Sequence, residues 1–283
     1  MKLLTPGTVP EATAMLRDSG GRAKPIAGAT DVFVHWPVRV PADDEIFIDL
    51  SGLAELRPHR WTDDELILGA LTTYWDVITD PRAAEEFAIL VQAARTVGSI
   101  QIQTRGTWAG NIANASPAAD GVPALMARDA VVELTSAEGV EQVPLDAFYL
   151  GYKRFVMKPD QLITAIRLPR RPHHFESFIK VGTRRAQAIT KVGVAIAHSD
   201  AGWRIVANSM APTVRRCRAL EEALDDQAPL RSPNDFTPLL TRDLAPIDDI
   251  RSTAAYRLGV LARVLYHELA PVCGSVGPSG AAS

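Results

Sequence analysis

Residues 95–120 read RTVGSIQIQTRGTWAGNIANASPAAD. The stretch lies between two ordinary amphipathic segments, yet it holds Gly98, Gly106 and Gly110 and a run of small hydroxyl or amide residues. Thr107, Gly110, Asn111, Asn114 and Ser116 combine little bulk with hydrogen-bonding capacity. Such a segment lets backbone N–H groups approach a bulky anion, typically a phosphate. Taken alone it also reads as a polar surface loop. A second small-residue loop, Pro25-Ile26-Ala27-Gly28-Ala29-Thr30-Asp31, lies upstream. Two loops of this kind suit a diphosphate held from both sides, the pattern of a dinucleotide cofactor.

PIAGATD (25–31) followed by GTWAGNIANASPAADGVPAL (106–125) resembles the flavin-binding subunit of the xanthine dehydrogenase family of molybdenum hydroxylases. In that family the loops commonly read AGGTD and GTIGGN or GTVAGN. The resemblance continues through FYLGYKRFVMKPDQLITAIRLP (148–169) and FIKVGTRRAQAITKVGVAIA (178–197). It fades in the last third, where PIDDIRSTAAYRLGVLARVL (246–265) is still similar. It implies an α+β chain whose FAD domain is of the p-cresol methylhydroxylase type, related to vanillyl-alcohol oxidase. That domain would have two α/β subdomains, followed by a C-terminal α+β domain with a three-stranded sheet and helices.

Composition narrows the alternatives. A chain of 283 residues that is 47% hydrophobic can bury a large core and is expected to form two domains. A net charge of −3 argues against a nucleic-acid partner. The basic cluster Arg215-Arg216-Cys217-Arg218 reads as a solvated helix face. No apolar run spans a membrane, and MKLLTPGTVPEA lacks the features of a signal peptide, so a cytoplasmic protein is expected. Cys217 and Cys273 are too few for an iron–sulfur cluster and form no Cys-x-x-Cys pair. His173-His174 suits a polar linker better than a metal, because adjacent side chains in extended chain point to opposite faces. No metal site is expected.

Periodicity predicts a helix over 10–19, strands at 25–27, 45–50 and 66–70, and helices over 74–78 and 83–96. After the 95–120 stretch, read as a loop, a short helix over 123–128 and strands at 130–135 and 161–168 complete the first domain. Arg170-Arg171-Pro172-His173-His174, polar and broken by proline, reads as the boundary. The expected division is a FAD domain over 1–172, with subdomains near 1–56 and 57–172, and a C-terminal domain over 173–273. Residues 274–283 read as a flexible Gly/Ser/Ala/Pro tail. Strands at 175–180, 192–197 and 203–208 precede helices over 219–224 and 252–269. The last helix carries Ala255, Leu258, Ala262 and Leu265 on one face.

The resemblance assigns the cofactor site residue by residue. Gly28, Ala29 and Thr30 would offer backbone N–H groups to one phosphate, and Thr107, Ala109, Gly110 and Asn111 would hold the other, with Ala27, Asp31 and Trp108 also among the cofactor-binding positions. Ala29 and Ala109 replace the commoner glycine; alanine tolerates close approach where φ is negative. Trp108 replaces a small aliphatic and reads equally as a packed indole or a cofactor contact. Asp120 would accept from the sugar-like hydroxyls of the flavin side, since a carboxylate accepts without donating, and Ser116, four residues before it, is a further cofactor-binding position. From the residues alone, Asp120 is a helix N-cap. Val97, Ile163 and Lys180 match positions lining the isoalloxazine, and a cation there would stabilise reduced flavin. In isolation Lys180 reads as a surface lysine at a strand end.

No Gly-x-Ser-x-Gly elbow, His-Glu-x-x-His or P-loop is present, and no catalytic residue is assigned. The reading is an FAD-binding electron-transfer subunit, with non-covalent FAD because neither loop holds a His or Cys. The resemblance implies partners: a small subunit with two iron–sulfur clusters and a large molybdopterin subunit, in a dimer of heterotrimers. NAD, a quinone or oxygen would accept the electrons. Residues 111–120 are more similar to purine and N-heterocycle hydroxylase subunits than to carbon monoxide dehydrogenase ones. Two alternatives stay open, a self-contained flavin oxidoreductase of the same fold and a scaffold without FAD.

Overall fold

A computed structural model describes residues 1–35 and 44–278. In chain order the helices are α1 (Val9–Asp18), α2 (Thr30–His35), α3 (Tyr74–Thr79), α4 (Pro81–Glu86), α5 (Ala88–Thr96) and α6 (Ile100–Gln103). They continue as α7 (Trp108–Asn114), α8 (Gly121–Ala127), α9 (Leu145–Phe148), α10 (Arg218–Asp225), α11 (Pro233–Asp243) and α12 (Ala254–Leu269). The chain divides into two compact units. Unit 1 comprises Met1–Pro81, Gly98–Ala115 and Asp129–Arg170; unit 2 comprises Arg82–Val97, Ser116–Arg128 and the chain from Arg171 onward.

Unit 1 holds the first ten strands. Strands β1 (Lys2–Leu4), β2 (Ala23–Ile26) and β3 (Ile46–Asp49) form a parallel sheet in the order β1-β3-β2. Pro25, which has no N–H to give a second neighbour, lies in β2 at the sheet edge. Helix α1 makes the β1-to-β2 crossover, capped by the Thr8 hydroxyl and burying Val9, Ala12 and Leu16. A second, antiparallel sheet has the order β4-β5-β10-β6-β7. Its strands are β4 (His59–Trp61), β5 (Glu65–Gly69), β6 (Val131–Ser136), β7 (Gly139–Pro144) and, after the hairpin β8 (Tyr149–Gly151) and β9 (Arg154–Phe155), β10 (Leu162–Pro169). Central β10 is buried over most of its length, as a strand covered on both faces requires, and a bulge interrupts it between Ile163 and Ala165.

Unit 2 is built on an antiparallel meander, β11 (Phe175–Val181), β12 (Val192–Ser199), β13 (Gly202–Asn208) and β14 (Arg215–Arg216). Val192, Val194, Ile196, Ile205 and Ala207 pack with Leu220, Leu224, Phe236, Leu240, Leu261 and Leu265 of α10, α11 and α12 in one core. Every residue of α8 is buried, and α5 buries Ile89, Leu90, Val91, Ala93 and Ala94. These two helices pack on β11, β12 and β13, so they join unit 2 and not the segments that flank them in sequence. A helix apolar all round needs neighbours on every side. Along the sequence the segments of the two compact units therefore alternate.

Four expectations change. The C-terminal sheet has a fourth strand, because Arg215 and Arg216 pair with Ala207 and Val206. The basic cluster is thus not a helix face; Arg216 pairs with Glu221 at 2.6 Å, Cys217 is buried, and only Arg218 enters α10. In α12 the buried residues are Arg257, Leu261, Ala262, Leu265 and Leu269, while Ala255 is exposed. The start of the expected tail is docked: the Leu230 N–H donates to Ser275 O (2.9 Å), the Gly277 N–H to Leu230 O (3.0 Å), and Val276 is buried. Residues 279–283 lie outside the described residues.

Candidate cofactor-binding site

The two small-residue segments meet inside unit 1. After β2 the chain runs through Ala27, Gly28 and Ala29 into α2, whose first residue is Thr30. A Cβ on Gly28 would lie 1.8 Å from the Arg105 carbonyl oxygen and 2.6 Å from its carbon. Backbone here rests on backbone, and only glycine permits it. On the facing segment, a Cβ on Gly106 would meet Ile102 O at 3.0 Å and Thr30 Oγ1 at 3.5 Å. Ala29 has φ +59°, so the negative φ at which alanine tolerates close approach is not met here. An alanine in the left-handed region costs about 1 kcal/mol, which the glycine common at this position would not incur.

Residues 108–114 are helical and not open loop. Thr107 caps α7, its Oγ1 accepting from the Gly110 N–H at 3.0 Å, while Asn111 N–H donates to Thr107 O at 3.1 Å. These two N–H groups are therefore engaged in the first turn of the helix, contrary to the expectation that they face an anion. A Cβ on Gly110 would lie 2.9 Å from Thr107 Oγ1, so glycine leaves the cap its space. Trp108 is fully buried with its ring 4.8 Å from that of Tyr74, and Ala109 is buried beside it. The Nε1 of Trp108 and the Oδ1 of Asn111 are buried without a hydrogen-bond partner among the described residues.

Beyond α7, Asn114 Nδ2 donates to Asp31 Oδ1 at 2.7 Å and Asn114 Oδ1 accepts from Lys153 Nζ at 2.8 Å. Lys153 Nζ also donates to the Asn114 carbonyl. Burial lowers the Lys153 pKa, against the opposing attraction of Asp31. Ile163 is a buried residue of β10 in the same unit.

Asp120 and Lys180 belong to unit 2 and form a pair at 2.6 Å, both side chains under a tenth exposed. Lys180 Nζ also donates to Thr96 O at 2.9 Å. The other carboxylate oxygen accepts from Thr190 Oγ1 and from Asn208 Nδ2, the latter at 3.1 Å. Asp120 precedes α8 at the N-cap position, yet its side chain makes no capping bond there. Three of about four acceptor positions are thus filled within unit 2. Lys180 is correspondingly buried and ion-paired, not a surface lysine. Val97 ends α5, and Ser116 Oγ accepts from the Ala118 N–H at 3.2 Å, closing a local turn. Thr190, Asn208, Thr96 and Lys153 were not singled out from sequence. Lys153 lies in the FYLGYKRF segment, but its 39-residue separation from Asn114 leaves no local signal.

Among the described residues no group of His, Cys, Asp and Glu could hold a metal ion, and no helix is long and apolar enough to cross a membrane. Unit 1 fits a dinucleotide on two grounds. Its two segments close on each other at Gly28, where a Cβ would intrude on the Arg105 carbonyl, and the buried Asn111 Oδ1 is left able to accept from a ligand hydroxyl or N–H.

Residues 1–171 match the family model described as the FAD binding domain in molybdopterin dehydrogenase, and residues 177–271 match the CO dehydrogenase flavoprotein C-terminal domain. The chain is 29% identical over 265 residues to the xanthine dehydrogenase FAD-binding subunit of Escherichia coli O157:H7, covering 90% of this chain and 89% of that one. It is 26% identical to the carbon monoxide dehydrogenase medium chain of Hydrogenophaga pseudoflava, over 93% of this chain and 94% of that one. A solved structure of carbon monoxide dehydrogenase from H. pseudoflava, lacking the Mo-pyranopterin moiety of its cofactor, shares the fold with a TM-score of 0.86. That match covers 98% of both chains at 24% identity. The chain therefore belongs to the family of FAD-binding medium subunits of molybdopterin-dependent dehydrogenases, and is an FAD-dependent oxidoreductase subunit.

Proposed function

We propose that this chain is the electron-transfer subunit of a cytoplasmic molybdenum hydroxylase, passing electrons from iron–sulfur clusters through FAD to NAD, a quinone or oxygen. A small iron–sulfur subunit and a large molybdopterin subunit complete the complex, as a dimer of heterotrimers, and substrate is oxidised on the large subunit. The observation that carries this reading is the backbone contact of Gly28 on Arg105 within a segment matching the FAD-domain family model. Bound FAD supplies the redox chemistry, and the protein supplies position and electrostatics.

In unit 1, Gly28, Ala29 and Thr30 on one side and Thr107, Ala109, Gly110 and Asn111 on the other would hold the diphosphate, and Asn111 Oδ1 would accept from a ligand hydroxyl or N–H. With two N–H groups committed to the Thr107 cap, the backbone of 28–30 is left as the main source of donors. Assignment of Val97, Ser116, Asp120, Ile163 and Lys180 to the flavin half rests on the family resemblance. The Lys180–Asp120 pair bears on it, because a paired ammonium presents less net charge than a lone one.

The test uses the purified chain. About one FAD per chain should be retained and released to the supernatant on acid precipitation. Chemically reduced flavin should reoxidise on mixing with NAD or oxygen. Oxidised chain should show no bleaching with xanthine or other N-heterocycles until the partner subunits are added. Bleaching by substrate without partners would defeat the electron-transfer reading in favour of a self-contained enzyme. A colourless chain that takes up no added FAD would make it a scaffold.

A further inference from the structure

We infer that Asp31, Asn114 and Lys153 form a clasp that holds the two cofactor loops of unit 1 together, with Lys153 the positioning residue that sets how long FAD is retained. The inference rests on the diphosphate assignment proposed above.

Three segments remote in sequence meet here: the α2 end of the first loop, the α7 end of the second, and the β8–β9 hairpin. Asparagine is the side chain the junction demands. Its Nδ2 donates to Asp31 Oδ1 and its Oδ1 accepts from the Lys153 ammonium, so the charge on each side fixes the orientation of the amide. An aspartate in its place would repel Asp31, and a leucine would answer neither neighbour. Lys153 Nζ donates again to the Asn114 carbonyl, placing a cation at the C-terminal end of α7. The hairpin has a second hold on α7, since Tyr149 Oη donates to Ile112 O at 3.1 Å. Burial raises the Tyr149 pKa, so its phenol stays protonated and able to donate.

The loops are thus pinned at two points, Gly28 on Arg105 by backbone packing and Asp31 on Asn114 by the clasp. Ala29 and Thr30 lie between the pins on one side, and Thr107 to Asn111 on the other. Opening the clasp frees the outer end of both segments while the inner contact and the core of unit 1 remain. Lys153 has φ +54° and Ala115 φ +48°, so non-glycine backbone at both sides of the junction holds the left-handed conformation. Ligand retention, more than folding, is where its loss should register.

The experiment measures FAD dissociation from the purified chain by recovery of flavin fluorescence, with thermal unfolding of the apo form alongside. Lys153→Met and Asn114→Leu should each weaken FAD roughly tenfold, about the loss of one charge-assisted hydrogen bond. The double variant should be no weaker than the worse single one, since both break the same link. Lys153→Arg should recover most of the affinity, and apo unfolding temperatures should change little. Additive losses, unchanged FAD affinity in Lys153→Met, or a fall in apo stability that parallels the loss of FAD would each overturn the clasp. Should Lys153→Met not fold, Asp31→Leu, which removes the acceptor for Asn114 Nδ2, replaces it with the same expectations. Failure of the wild-type chain to bind any FAD would overturn the diphosphate assignment instead. The clasp is then decided by amide exchange of the apo chain, where Lys153→Met must raise exchange in both 27–31 and 107–116. A rise confined to the hairpin overturns it.

Discussion

At Gly28 in unit 1 two stretches of backbone lie so close that one added carbon would sit 1.8 Å from a carbonyl oxygen, whereas at Asp120 in unit 2 three side chains converge on one carboxylate. Both join segments distant in sequence. The first does so by leaving atoms out and fails when any are added. The second does so by pairing groups taken out of water and fails when one is removed. Near a ligand the first kind of junction leaves backbone accessible, and the second consumes its own hydrogen-bonding capacity. That contrast makes the Gly28 loop the better candidate for direct ligand contact.

The largest effect should come from removal in unit 2. Asp120→Ala strands a buried ammonium and leaves Thr190 and Asn208 without their acceptor, at a cost of about 3–5 kcal/mol. Urea unfolding measures it, and hydrogen exchange should place the loosening in β11, β12 and α8. Asp120→Leu combined with Lys180→Met should recover much of the loss; a double variant as unstable as the sum of the singles would break the contrast. Addition in unit 1 comes next. Gly28→Ala should cost up to about 3 kcal/mol by overpacking and should abolish flavin retention. Retention of full flavin absorbance would show that the Arg105 carbonyl can yield.

Gly110→Val adds a branched side chain against Thr107 Oγ1 and should cost about 1–2 kcal/mol, the worth of an N-cap, with flavin occupancy falling in parallel. Full occupancy would place the diphosphate elsewhere. Ala29→Gly runs the other way. It relieves a left-handed alanine and should raise stability by about 1 kcal/mol, read as an increase in the urea midpoint. The smallest effect is a pH dependence confined to unit 2. Burial and the neighbouring His174 lower the His198 pKa from its ordinary value, so the unfolded chain binds the proton more readily. Stability from this residue is present above about pH 6.5 and is lost as pH falls below it. A thermal unfolding series across pH should show the slope in the wild type and lose it in His198→Gln.

The periodic segments were legible because hydrophobic spacing is local information: α1, α5, β5, β10 and the three long strands of unit 2 all follow it. The small-residue segments were legible as a pair, since glycine has few other reasons to recur beside amides and hydroxyls. Their conformation was not. Thr107 to Asn114 has the composition of a loop, yet one threonine cap and a buried tryptophan make it helical. The signal available was a threonine three residues before Gly110, which reads as a cap only once the helix is known. The sign of φ at Ala29 has no sequence signature beyond the glycine usual there. Asp120 and Lys180 were named by resemblance, but their mutual pairing is a contact across 60 residues that spacing cannot show. The same holds for β14 and for Val276, whose places are set by strands and turns far along the chain.

The chain passes from one unit to the other after Pro81, Val97, Ala115, Arg128 and Arg170. During synthesis, unit 1 lacks β10, the central strand of its larger sheet, until translation reaches residue 169. By then α5 and α8 have already emerged, with apolar surfaces whose covering strands are still to be made. The nascent chain must therefore carry exposed hydrophobic helices through a long interval on the ribosome, a state that invites chaperones and aggregation alike. A gene fragment ending near residue 172 would freeze that state. Recombination between related genes at the sequence boundary would likewise exchange half of one folding unit, so the two families of segments are expected to be inherited together.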